Sequence, residues 1–121
     1  MKDLEALIQE ACVTWFSYQY PEWALLLHHS PNGGKRNAKE AAKFKRMGVR
    51  AGFPDLILLL PNGTYHYLAI EMKTEERGSA QTANQKQYQR LIEAHGGKYV
   101  VCRSEQEFEN IISSYLMPIV H

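Results

Sequence analysis

The chain has 121 residues, 45% of them hydrophobic and 22% charged, with a formal net charge of +1. That size and balance fit a single globular domain over residues 1–121 and argue against two independent cores, a disordered chain or a repeat array. Cys12 and Cys102 are too far apart for a zinc motif or a disulfide framework and are expected as small core residues. No basic-then-apolar leader and no membrane-length apolar run occurs, so a cytoplasmic protein without a membrane partner is expected.

From Lys2 to about Gln19, Leu4, Leu7, Ile8, Ala11, Cys12, Trp15 and Phe16 recur at helical spacing, predicting an amphipathic helix that Pro21 ends. Glu10 falls near the apolar stripe, where its carboxylate can face a sheet edge. Residues Trp23 to His28 read as a short strand, and Ser30-Pro31-Asn32-Gly33-Gly34 as a loop. Asn37 is placed to cap a helix that runs to about Met47 and stops at Gly48. Two apolar runs, Leu56–Leu60 and Tyr65–Ile70, flank the turn-rich Pro61-Asn62-Gly63-Thr64 and predict an antiparallel hairpin. A polar loop from Thr74 to Ala80 precedes a helix from about Thr82 to His95, with Gln85 in its first turn and Gly96-Gly97 closing it. Lys98–Cys102 is a further strand, and Ser104 with Glu107 forms a capping box for a last helix through Phe108, Ile111 and Ile112. The order predicts an α/β fold, a mixed central sheet flanked by helices, with a crossover connection into the last strand.

Charge is unevenly spread. Half of the lysines and arginines fall in one stretch, namely Lys35, Arg36, Lys39, Lys43, Lys45, Arg46 and Arg50, against the single acid Glu40. A solvated helix face is the ordinary reason for such a run, and a phosphate-facing element the functional one.

The acids suggest which holds. Asp55 follows Pro54 at the start of the first hairpin strand, and Glu71-Met72-Lys73 ends the second, so reversal at the turn brings both carboxylates to one edge. Strand alternation sends Glu71 and Lys73 to one face and Met72 to the other. Two carboxylates and the backbone carbonyl of Met72 suffice to hold a hard divalent cation such as Mg²⁺ or Mn²⁺ with positions left for water and phosphate. A cation there can stabilise a phosphodiester under attack while Lys73 orients the nucleophile or neutralises phosphate. Asp after Pro is common in turns and Glu-x-Lys on exposed strands; their pairing across a hairpin, at the end of the most apolar stretch, is what points to a nuclease site.

The motifs Pro31-Asn32-Gly33-Gly34-Lys35-Arg36, Gly48-Val49-Arg50-Ala51-Gly52-Phe53-Pro54-Asp55, Glu71-Met72-Lys73, and Gln85 ahead of Tyr88 and Gly96, occur in this order. In them the chain resembles the VRR-NUC branch of the PD-(D/E)xK nucleases, above all its small stand-alone phage and bacterial members. The resemblance implies a restriction-endonuclease-like core, metal ligation by Asp55 and Glu71, catalysis by Lys73, a supporting carboxylate at Glu10 and a polar role for Gln85. It also implies a homodimeric, structure-selective endonuclease for branched DNA such as four-way junctions. A C₂ dimer has its own motive, since a symmetric junction offers paired strands to paired sites; Trp23, Phe44 and Tyr115 are candidates for its interface.

Three other readings compete. The same layout serves a restriction- or repair-type enzyme that cuts ordinary duplex. A non-catalytic DNA-binding module would keep Asp55, Glu71 and Lys73 as a buried ion cluster only. A metal site on His28 and His29 is disfavoured, because neighbours on a strand point to opposite faces.

Overall fold

The structure is a computed structural model in which residues 4–31, 37–73 and 80–120 are described. In chain order these form α1 (Leu4–Gln19), a 3-10 helix (Pro21–Leu26), β1 (Leu27–His29), α2 (Ala38–Arg46), β2 (Leu56–Leu58), β3 (Tyr67–Met72), α3 (Ala83–Ala94), β4 (Gly97–Cys102) and α4 (Glu105–Leu116). The strands lie in the order β1-β2-β3-β4. The first three are antiparallel neighbours, with Leu27 opposite Leu58 and Leu56 opposite Ile70, while β4 runs parallel to β3 with Glu71 opposite Val101. The parallel pair needs a crossover, and α3 supplies it.

Strand alternation divides the core into two layers. Leu56, Leu58, Leu68, Ile70, Met72 and Cys102 face Cys12 and Phe16 of α1 and Phe108, Ile112, Tyr115 and Leu116 of α4. The opposite face, with Ala69 and Tyr99 and the partly buried Ile57, Tyr67 and Val101, packs under Ile92 and Tyr88 of α3. Glu71, two residues beyond Ala69, lies on this second face.

The expected hairpin forms, though its strands stop short of the turn. Asn62 replaces the outer ladder rungs: its Oδ1 accepts from the amides of Thr64 and Tyr65, at 3.0 and 2.8 Å, and its Nδ2 donates to the Tyr115 carbonyl at 2.9 Å. Cys12 and Cys102 are both free and buried. Tyr115, an interface candidate by sequence, is instead core, 2% exposed, with its hydroxyl donating to the Leu60 carbonyl.

Two further expectations are corrected. Residues 23–26 are not strand: Pro21, with its fixed φ and no amide to donate, opens a 3-10 helix, and the Trp23 ring stacks on Tyr20 at 5.9 Å, so extended pairing begins only at Leu27. At α4, Ser104 accepts from the Glu107 amide as expected, but the Glu107 carboxylate accepts from the Arg103 amide, one residue outside the reciprocal box. The full capping box belongs to α3, between Thr82 and Gln85.

α2 is built differently from the other helices. Asn37 caps it by accepting from the Glu40 amide, and it ends in a Schellman motif: Val49 N donates to the Phe44 carbonyl, Gly48 N to that of Lys45, and Gly48 takes φ +110°. None of its residues is buried.

Candidate active site

Pro54 is fully buried and sets the chain entering β2, with Asp55 immediately before the strand. The Asp55 backbone is clamped from the end of β1, where its carbonyl accepts from the Ser30 amide at 3.1 Å and from His29 Nδ1 at 2.8 Å. Since a carbonyl only accepts, that contact places a proton on Nδ1. The Asp55 carboxylate reaches across to β3, where Oδ2 accepts from the Met72 amide at 2.7 Å. That amide lies beyond the last β2–β3 rung, so the side chain satisfies a donor the ladder leaves over.

Glu71 is 5% exposed. Its Oε2 accepts from Gln85 Nε2 at 3.1 Å, and its Oε1 is buried without a donor among the described residues. The Gln85 amide is held in one orientation, because its Oε1 accepts from the Thr82 amide at 2.9 Å and leaves Nε2 to Glu71. Burial first, then hydrogen bonding to and repulsion from Asp55, push the Glu71 carboxyl up to about 9, against the opposing pull of Lys73. Two carboxyls this close cannot both ionise cheaply without a cation between them.

That is also a test of fit for a divalent metal, which family resemblance implies. The Glu71 oxygen that no donor among the described residues reaches and the adjacent Asp55 carboxylate are hard oxygen donors, and they suit such an ion. Among the described residues no group of three or more His, Cys, Asp or Glu is placed to form a metal cluster. The two histidines make no such group either: His29 is spent on the Asp55 carbonyl and His28 lines a cavity beside the site.

Lys73 is 9% exposed and continues the Glu71 face, its amide donating to the Cys102 carbonyl across the parallel pair. Asp55, Glu71, Lys73 and Gln85 therefore converge where the start of β2, the end of β3 and the start of α3 meet. Gly52 makes the α3 approach possible. It has φ +82°, and a Cβ there would stand 2.6 Å from Asn84 Cβ and 2.9 Å from the Gln85 amide nitrogen.

Glu10 is exposed on α1. At 100° per residue it stands 200° from Cys12, on the far side of the helix from the core. Glu5 shares the inward stripe with Ile8, Cys12 and Phe16, is partly buried, and adds its charge to the field that raises Glu71. Tyr99 was also missed. Its hydroxyl is buried on the Glu71 face, where burial pushes the phenol up, with Gln81 opposing and Glu71 and Asp55 reinforcing. Period two along β4 signals its face, and helical spacing signals that of Glu5.

Of the basic stretch, Lys39, Lys43, Lys45 and Arg46 are exposed on α2, and Arg50 is exposed beyond it, donating Nη1 to the Lys45 carbonyl at 2.9 Å. Lys35 and Arg36 lie outside the described residues, as do positions 74–79 of the expected polar loop.

The model of the VRR-NUC domain matches residues 3–106. The chain belongs to the VRR-NUC family. A solved structure described as a VRR_NUC domain protein is 35% identical, superposes with a TM-score of 0.81, and the match covers 97% of this chain and 92% of that one. No curated protein matches. As a VRR-NUC protein the chain is a nuclease of the PD-(D/E)xK type, a class that generally uses divalent metals, with DNA as its partner. No helix among the described residues is long and apolar enough to cross a membrane.

Proposed function

We propose that this protein is a Mg²⁺- or Mn²⁺-dependent, structure-selective DNA endonuclease that hydrolyses phosphodiester bonds in branched DNA such as four-way junctions, working as a homodimer. The observation that carries the reading is the buried Glu71, one oxygen without a donor among the described residues, beside Asp55 and Lys73. Bound divalent metal supplies Lewis-acid stabilisation of the phosphodiester and lowers the pKa of water. Asp55 and Glu71 would hold it, with the Met72 carbonyl as a third ligand; Glu10, the supporting carboxylate implied by resemblance, faces away from the core and is left out of the set.

Each remaining group has a task set by its surroundings. The Met72 amide and the Gln85 amide fix the two carboxylates, so little reorganisation is left for the reaction itself. Lys73 orients the attacking water and neutralises the phosphate. Lys35, Arg36, Lys39, Lys43, Lys45, Arg46 and Arg50 grip backbone phosphates, which positions DNA without reading sequence. A symmetric pair of protomers presents two such sites to the two strands of a junction.

The test is cleavage of a labelled four-way junction and a matched linear duplex with Mg²⁺, Mn²⁺ or EDTA, by the native protein and by Asp55→Ala. Metal- and Asp55-dependent cutting of the junction alone is expected. Equal cutting of both DNAs would replace structure selectivity by general duplex endonuclease activity. Binding without cutting would leave only a DNA-binding module.

A further inference from the structure

A cavity of about 580 Å³ opens beside the acidic pair, lined by His28, Ser30, Phe44, Arg50, Phe53 and Tyr88, among others. We propose that it receives a single unstacked nucleobase of the DNA that the neighbouring site cuts. The proposal rests on the nuclease reading above and adds to it a binding site for part of the substrate.

The cavity adjoins the carboxylates through three separate elements. Phe53 lies two residues before Asp55, Tyr88 stands one turn of α3 after Gln85, and His28 precedes the histidine that clamps the Asp55 carbonyl. It is also on the same side of the sheet: His28 pairs with Ile57, and Ile57 with Ala69, the residue two before Glu71. A nucleotide whose phosphate sits at Asp55 and Glu71 has this opening within reach of its own base or of the next one.

Size and chemistry suit such a ligand. The volume is within the range of small-molecule pockets, roughly 300–1,000 Å³. Phe53 and Tyr88 meet edge to face with centroids 5.3 Å apart, and Phe44 lines the cavity from α2, so flat π surfaces line it from two sides. Bases stack on such rings whatever their sequence. His28, Ser30 and Arg50 bring donors and acceptors to a base edge or to its phosphate. Arg50 lines the cavity, and the helix that supplies Phe44 carries Lys39, Lys43, Lys45 and Arg46 against Glu40 alone, so the surrounding charge favours an anionic aromatic ligand over a neutral one. Branched DNA is the cheap source of such a base, because pairing and stacking are already disturbed where strands separate.

The probe is a fluorescein-labelled fork with single-stranded arms, in which an abasic tetrahydrofuran residue is moved one nucleotide at a time through the branch point. Affinity is measured in EDTA, so that nothing is cut, for the native protein, Tyr88→Ala and Phe44→Ala. Phe44 is half-buried on a helix with no fully buried residue, so its removal should cost the fold less than that of Tyr88, and circular dichroism checks both variants. One abasic position should weaken native binding by about five- to a hundredfold, the span that base–aromatic stacking covers, and should weaken the variants far less. Equal losses in native and variant proteins, or no sensitive position, would overturn the pocket. Cleavage of the unmodified fork with Mg²⁺ or Mn²⁺ separates the two ideas. Cutting without base-dependent coupling removes the pocket and keeps the nuclease, and coupling without cutting does the reverse. Failure to bind the fork removes both.

Discussion

Glu71→Gln should make the metal-free protein less sensitive to rising pH, and more stable than the native protein in mild alkali. Burial and Asp55 raise Glu71 from an ordinary 4.5 to about 9 in the folded chain. Between those values the native state holds a proton that the unfolded state has released. Stability must therefore be fully present below about pH 4.5 and decline as pH rises towards 9, by at most ~1.4 kcal/mol per pH unit. From pH 6 to pH 8 the ceiling is about 3 kcal/mol for this one group. The amide of the variant needs no proton: its oxygen accepts from Gln85 Nε2, and its NH₂ can donate to Asp55. The check is urea unfolding in EDTA at pH 6, 7 and 8, read as the difference in slope between the two proteins. Parallel stability curves would refute the account of a protonated carboxyl pair. Adding Mg²⁺ at pH 8 should stabilise the native protein, with release of a proton, and leave the variant nearly unmoved.

Gly52→Ala should cost about 2–4 kcal/mol in urea unfolding and depress cleavage, since it combines a positive φ with a clash against the backbone that carries Gln85. Asn62→Ala removes three hydrogen bonds from a buried turn on the far side of the hairpin; a loss of roughly 2–3 kcal/mol with unchanged cleavage per folded molecule is expected. Lys73→Ala should abolish cutting while DNA binding by anisotropy and the circular dichroism spectrum persist; loss of the folded spectrum would favour a purely structural ion cluster. Glu5→Gln should move the pH midpoint of Mg²⁺ binding downward more than Glu10→Gln does, because Glu5 adds to the field on Glu71 from the inward side of α1. Calorimetric titration across pH reads that ordering directly.

Much of the fold was legible because local chemistry and tertiary context agree. The Pro61–Thr64 turn, the Asn37 cap, the Gly48 stop and the alternation through Glu71-Met72-Lys73 are short-range signals, and each appears where it was expected. Residues 23–26 misled because apolar runs suit a buried strand and a 3-10 turn equally, and what decides is the ring contact of Trp23 with Tyr20. The acidic pair could be read from reversal at the hairpin turn, and the shared face of Glu71 and Lys73 from strand period. What could not be read is how they are held. The bond from the Met72 amide to Asp55 depends on where the β2 ladder ends, and that from Gln85 to Glu71 on how closely Gly52 lets α3 approach. Both are distances between elements remote in sequence. The cavity beside the site was invisible for the same reason, since its walls come from β1, α2, the segment before β2, and α3.

The lack of buried residues in α2 bears on how such an enzyme changes over time. A helix fastened by a cap, a Gly48 turn and a few partial contacts can exchange its lysines, lengthen or rotate with little penalty to folding, whereas almost any change at Glu71 or its supports disturbs the core. On the roles proposed for α2 and Glu71, selection can retune which DNA is gripped while the cutting chemistry stays fixed, and descendants of one such domain can diverge in substrate faster than in mechanism.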